Sequence, residues 1–398
     1  MKNIRVPYGM AVHDEQEIKA VVKTLRSSTQ MGKSVSLFEK KISKLFSKKY
    51  GLMVNSGSSA LFLAFASINL PKGSEVITPA LTFATTVASI VQNNLVPVFI
   101  DVKRLSYCVD EKLIENMISK KTRAICIPNL IGNIPNWIAI KRIAKKHNLI
   151  VIEDSADALG SKISNKSSGF YSDISITSFY GSHIINCAGN GGMVCFNNKK
   201  YFDKAKLLRS WGRSSSLFKD SEKIENRFNV KISNIYYDAK FIFSEIGYNF
   251  EPNEIGASYG LVQLNKLKNN IALREKNFQN HQKFFKKFNK WFELPDQEKN
   301  IKTGWLAYPL LVKKNLKIDR RKIQIYLEKK NIQTRVVFTG NILKQPGFRK
   351  IKSIKDKNGY PNADNVMRNG FLIAVHHGLN KKMINHIYKT FEELFKKY

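Results

Sequence analysis

Four short stretches of the chain bring together residue types that do chemistry. In SFYGSHIINCAGNGG, Ser178 to Gly192, Ser178 and the glycines Gly189, Gly191 and Gly192 permit a tight loop beside a bound phosphate. His183 in the same loop can move protons near neutral pH. A lone histidine is often structural, but this one follows the end of an apolar run. In NSGSSAL, residues 55–61, Gly57 lets backbone approach an anion, and Ser58 and Ser59 offer amides and hydroxyls at a helix start. The same pattern also makes an ordinary N-cap with no ligand. In PALTFATT, residues 79–86, Phe83 can stack on a flat ring, although core packing suits an isolated phenylalanine better. In VIEDSADALG, residues 151–160, two acids close an otherwise apolar run. A carboxylate there is costly unless partnered. Asp154 is placed either to hold a protonated pyridine nitrogen or to cap a helix.

The elements that must position these residues can be read from the same rows. GLMVNS, SEVITPA, VPVFIDV, RAICIPNL, LIVIEDS, ISITSFY and GGMVCFN read as strands, with SSALFLAFASI, TTVASIVQNN and WIAIKRIAKKH as helices between the earlier ones. Short apolar strands alternating with helices predict a mostly parallel sheet covered on both faces, whose ligands sit at the carboxyl ends of the strands. All four stretches fall at such ends. Two amphipathic helices precede the sheet, over residues 14–27 and 36–48, the second with Leu37, Ile42 and Leu45 on one face. From about residue 255 the pattern changes to one long helix or two joined ones, then WLAYPLLV, RKIQIYLEKKN, TRVVF, FLIAVHH and a closing helix. The expected division is an N-terminal segment (1–30) joining a small domain, a large ligand-binding domain (31–264) and a small α+β domain (265–398).

With 398 residues, 43% of them hydrophobic, the chain can bury two cores. No apolar run approaches the roughly 20 residues that span a bilayer, and the start lacks the apolar stretch of a signal peptide. A cytoplasmic protein with no membrane partner is the expectation. The formal charge of +35 is spread as lysine pairs, with no nucleic-acid motif beside them. Solvated faces that attract small anions are expected, rather than a nucleic-acid interface. Cys108, Cys126, Cys187 and Cys195 form no CxxC pair, so neither a metal site nor a disulfide framework is indicated.

The order and spacing of the four stretches resemble the DegT/DnrJ sugar-aminotransferase family, within the PLP-dependent enzymes of fold type I. FEKKISKLF, PVFIDV, IEDSADALGS, GYNFEPNEIGAS at 247–258 and TRVVFTGNILKQP at 334–346 carry the resemblance over nearly the whole chain. It implies the aspartate-aminotransferase fold, a mostly parallel seven-stranded sheet with a smaller C-terminal domain. It also implies a PLP or PMP site made of Gly57, Ser58, Ser59, Phe83, Asp154, Asp157 and Ser178, with Asn249 reaching the partner's cofactor phosphate in a homodimer. The family's loop lysine, which forms a Schiff base with PLP, is replaced. Counting forward from SFY gives His183; counting back from GNGG gives Ile184, and only histidine is chemically sensible.

A histidine here resembles the 3-dehydratase branch acting on 4-keto-6-deoxy nucleotide sugars in deoxysugar and surface-polysaccharide biosynthesis. That branch implies non-covalent PLP/PMP and His183 as catalytic base. The alternatives are a nucleotide-sugar aminotransferase that tolerates the lost lysine, and a non-catalytic sugar-nucleotide binder. Four departures stand out. The four cysteines that hold a [2Fe–2S] cluster in the CDP-sugar members match Ala156, Ser215, Leu217 and Ile224, so no cluster is expected. Asn190 replaces a glutamate, Asp157 replaces a glutamine three residues after the key aspartate, and Glu251 stands where a basic residue is usual.

Overall fold

The computed structural model describes residues 4–314 and 316–397, so the expected outer bounds 1 and 398 lie outside the described residues. Seven strands form the main sheet: β1 Tyr50–Val54, β2 Glu75–Pro79, β3 Val96–Ile100, β4 Thr122–Pro128, β5 Ile150–Asp154, β6 Ile174–Ser178 and β7 Gly192–Phe196. Their order is β1-β7-β6-β5-β4-β2-β3, with β7 antiparallel to both neighbours and the other pairings parallel. The strands are buried almost throughout, as near-continuous apolar runs require when both sheet faces are covered. The mostly parallel α/β sheet expected from the sequence is therefore present, with all seven strands.

Register brings the site together. Val54 and Ser178 both pair with Gly192, so the chain leaving β1 passes beside the chain leaving β6. Glycine is needed here for closeness: a Cβ on Gly192 would lie 2.2 Å from the Ser56 carbonyl oxygen, and one on Gly57 would lie 2.6 Å from Ser178 Cβ.

Helix α1 spans Glu15–Leu25 and α2 spans Lys33–Leu45. The buried face of α2 is Val35, Phe38 and Ile42; Leu37, expected on that face, is 45% exposed. The 3.6-residue repeat from Val35 selects Phe38, not its neighbour. Helix α3 covers Gly57–Ile68, α4 Ala84–Gln92, and one unbroken long helix Glu254–Phe285. The proposed bound at 264/265 falls inside that long helix. Beyond it, Phe292–Glu293, Ala307–Val312, Gly370–Ala374 and Arg335–Val336 form a four-stranded antiparallel sheet in that order. TRVVF contributes only its Arg335–Val336 pair as strand. The N-terminal segment lies against this second sheet's domain: Val6 exchanges backbone hydrogen bonds with Asn331 (2.8 Å) and Gln333 (2.9 Å), and the Pro7 carbonyl faces His376 Nε2 at 3.0 Å.

Candidate active site

A cavity of about 360 Å³ opens at the carboxyl ends of the central strands. Gly57, Ser58, Phe83, Asp154, Asp157, Ser178 and His183 all line it, as does Asn190. Thus seven of the nine residues singled out from sequence share one wall system.

At one end stands the start of α3. The Ser56 hydroxyl accepts from the Ser59 amide (3.1 Å) and the Ser56 carbonyl from the Ala60 amide (3.1 Å). The amides of Gly57 and Ser58 keep no protein partner among the described residues and border the cavity beside Ser178. Free amides at a helix start, with two serine hydroxyls, make an anion seat. Ser59 is set apart from it. Its hydroxyl donates to Asn55 Oδ1 (2.7 Å), and it does not line the cavity, because the third helical position turns away from the strand end. Asn249 also lies off the cavity of this single chain; its side-chain oxygen accepts from the Glu251 amide (3.4 Å).

Asp154 closes β5 at the cavity floor. It accepts from Thr86 Oγ1 (2.9 Å) and the Ala156 amide (3.2 Å), and it caps no helix. Burial pushes its carboxyl up to about 6 against these two bonds, with nearby Glu153 adding repulsion. A buried carboxylate with no cationic side chain at ion-pair distance among the described residues calls for a positive group from outside. Phe83 is 51% exposed and edge-on to Phe338 (6.0 Å, 80°), so it borders the opening rather than packing in the core as an isolated phenylalanine would.

The two candidates from the loop's two countings have different surroundings. Ile184 is buried in an apolar cluster with Leu159 and Phe179, while His183 faces the cavity. Its Nδ1 lies 3.1 Å from the Ser178 carbonyl oxygen. A carbonyl only accepts, so Nδ1 carries the proton and Nε2 keeps a free lone pair. Nε2 is 3.8 Å from Asp157 Oδ1. Enclosure lowers the imidazole to about 4, opposed by the Ser178 bond and reinforced by the Arg274 charge. Asp157 moves the other way, to about 7, through burial and the nearby Asp154, despite a 3.0 Å bond from the Ile131 amide. Near neutrality, then, the imidazole is an unprotonated base while Asp157 holds much of its proton.

The sequence reading missed Tyr8, Asn129, Tyr180, Ser182, Leu306 and Phe338 on the cavity wall, and Thr86 behind it. Asn129 follows β4 at its carboxyl end, so the strand-end rule alone would have found it. Tyr8, Leu306 and Phe338 arrive from distant parts of the chain, with no local signal.

Residues 11–392 match the DegT/DnrJ/EryC1/StrS aminotransferase family. The chain belongs to this family. It is 31% identical to the lipopolysaccharide biosynthesis protein RfbH of Salmonella typhimurium, over 98% of this chain and 92% of that one. It is 28% identical to a GDP-4-keto-6-deoxy-D-mannose 3-dehydratase of Escherichia coli O55:H7, over 94% of this chain and 96% of that one. A solved GDP-4-keto-6-deoxymannose-3-dehydratase with a trapped PLP-glutamate geminal diamine superposes with a TM-score of 0.88 at 26% identity, covering 97% and 99% of the two chains. The site fits such a cofactor: an anion seat at α3, an uncompensated buried carboxyl at the far side, and an aromatic side chain at the rim. No lysine lines the cavity among the described residues.

Proposed function

We propose that this chain is a PLP/PMP-dependent dehydratase that removes the C3 hydroxyl of a 4-keto-6-deoxy nucleotide sugar, as a step in deoxysugar assembly for surface polysaccharide. The observation that carries the reading is His183. A neutral imidazole with a free Nε2 stands on the cavity wall, and no lysine lines the cavity among the described residues. When bound, the cofactor supplies a primary amine to join the sugar's C4 ketone and a ring that delocalises the electrons of the adjoining C–H bond.

The chain's own residues do the rest. Gly57, Ser58 and Ser178 would hold the phosphate through amides and hydroxyls. Asp154 would hold a proton on the ring nitrogen and stay ionised beside that charge. Phe83 offers a flat face at the cavity rim, and Asp157, where the family has a glutamine, lines the same wall. Nε2 of His183 would take the proton from the carbon next to the ring and return one to the departing hydroxide. With no lysine on the cavity wall among the described residues, cofactor binding would be non-covalent.

A homodimer completes this reading, with Asn249 serving the neighbouring cofactor. Large apolar side chains stand exposed along residues 211–248, among them Ile224, Ile235, Tyr236 and Ile246, the last 95% exposed. Such a patch suits a second copy. No helix among the described residues is long and apolar enough to cross a membrane, and a cytoplasmic enzyme without an iron–sulfur cluster is the form proposed.

The test incubates the protein with PMP and GDP- or CDP-linked 4-keto-6-deoxyhexose, followed by mass spectrometry. Loss of the C3 oxygen from the sugar, with conversion of PMP to PLP and release of ammonia, supports the reading; an amino sugar as product replaces it with a transaminase; no change with either substrate leaves a binding protein. Borohydride treatment of the holoprotein must leave the cofactor dialysable. Iron and acid-labile sulfide in stoichiometric amount would overturn the cluster-free form.

A further inference from the structure

Arg274 lies in the middle of the long helix and is completely buried. Its side chain makes five hydrogen bonds, none to a carboxylate. Nε donates to His377 Nδ1 (3.2 Å), Nη1 to the carbonyls of Trp305 (3.0 Å) and Leu306 (3.2 Å), and Nη2 to the carbonyls of Ser182 and His183 (both 3.3 Å). A guanidinium has five N–H groups, so each finds an acceptor. One turn earlier on the same helix, Asn270 Nδ2 donates to the Ile184 carbonyl (3.1 Å). Three successive carbonyls of the His183 loop are thus held from one helix face. On the other side of the loop, Gly9 presses so close that a Cβ there would lie 2.6 Å from Ser182 Cβ.

We infer that Arg274 is a positioning residue for the proposed base: its guanidinium ties the His183 loop to the strand entering the second domain and sets a fixed positive charge behind the imidazole. The inference rests on the reading of His183 as the base. Two functions are separable in it. The fork geometry fixes where Nε2 points, because rotation of the loop would break two bonds at once. The charge disfavours a second proton on the ring, leaving the lone pair free. The ionisable groups around His183 are Asp157 at 3.8 Å from the end of β5, Tyr180 from its own loop at a ring distance of 6.0 Å, and Arg274. Tyr8 lines the same cavity, and His377 touches Arg274 from the second domain. Of these, only Arg274 is a permanent cation.

Two variants divide the functions. Arg274→Lys keeps charge but has three donors without the planar fork. Arg274→Gln keeps two N–H donors but is neutral. The His183 imidazole is followed by NMR titration in the parent and both variants, assigned by its disappearance in His183→Asn, and kcat is measured against pH. In Arg274→Gln the His183 titration is expected to rise by about one unit, carrying the acidic limb of kcat with it. In Arg274→Lys the titration stays low while kcat falls on the order of tenfold with little change in KM, the signature of a misplaced group. An unchanged titration in the glutamine variant together with unchanged kcat in both overturns the inference. Failure of both variants to fold also overturns it, since Arg274 is then a scaffold residue. The titration needs no turnover. If His183→Asn proves fully active, the reading of His183 as base falls, while the titration still reports whether Arg274 acts on that ring.

Discussion

Two carboxylates stand side by side at the end of β5, and the two faces of the sheet treat them differently. Glu153 points into a closed polar network. It accepts from Asn129 Nδ2 (2.8 Å), Ser175 Oγ (2.7 Å) and Ser172 Oγ (3.4 Å), and Asn129 is itself fixed by Trp137 Nε1 (2.8 Å). Buried Lys48 lies near that network and donates to the Ser172 carbonyl (2.7 Å). Asp154, one residue later and so on the opposite face, has two donors and an open cavity before it. One acid is complete within the fold. The other has no cationic side chain at ion-pair distance among the described residues. The pleat separates the two roles, and sequence shows only the pair of letters.

The largest effect is expected at the cavity's proton-transfer group. His183→Asn retains the size of the side chain and a donor toward Ser178 but removes the base. General-base loss typically costs roughly 10²–10⁴ in rate, and turnover should fall in that range while cofactor affinity changes little. Near-parental dehydration by this variant would return His183 to a loop-structuring role.

Asp154→Asn sharpens the comparison from the ligand side. Loss of a charge-assisted bond of about 1.5–3 kcal/mol weakens PMP on the order of 10–100-fold, measured by titration of cofactor absorbance. The apoprotein should respond in the opposite sense. The folded Asp154 carboxyl titrates at about 6, above its unfolded value. Ionisation therefore costs the folded state stability above pH 6, and the cost disappears as pH falls below the unfolded value of about 4. At pH 8 the variant escapes this cost, so the apo melting temperature should rise; at pH 4 the gain should vanish. The same sign holds for Asp157, raised to about 7, whereas His183, lowered to about 4, loses stability for the fold as pH drops from about 6.5 to 4. Holding pH at 8 isolates the carboxylates.

Glu153→Gln is the counterpart. It leaves part of the buried network unmatched, at about 1–3 kcal/mol of stability in a urea titration. Cofactor affinity should stay within a few-fold. If this variant weakened PMP as much as Asp154→Asn does, the two faces would not be separate.

Much of this arrangement was legible in the sequence. The seven strands were, because near-continuous apolar runs bounded by polar turns have few other uses. Asp154, Ser178 and Gly57 were, because each closes or follows such a run. Leu37 was misread because Leu37 and Phe38 are adjacent apolar residues and the helix buries only one. Arg274 was invisible: LREKN reads as a solvated helical stretch, and its acceptors come from loops near residues 183, 305 and 377. Ser59 and Ser58 look alike in NSGSSAL, and only the turn of the helix sends one hydroxyl to Asn55 and leaves the other at the cavity.

Phe83 carries the smallest prediction and the cleanest separation of ligand binding from folding. Its ring is half exposed at the N-cap position of α4, touching Phe338 edge-on, so the apoprotein gains little from it. A leucine there fills the same rim without a flat face. Aromatic pairing contributes about 0.5–1.5 kcal/mol beyond area burial, which corresponds to a few-fold to roughly tenfold loss of PMP affinity. The urea midpoint should not move, because no buried contact is lost. Since stacking and the Asp154 contact act on the same ring, combining Phe83→Leu with Asp154→Asn should give less than the sum of the separate losses. Strict additivity would place the two side chains on different parts of the ligand, and the cavity would then hold its ring elsewhere than between Phe83 and the end of β5.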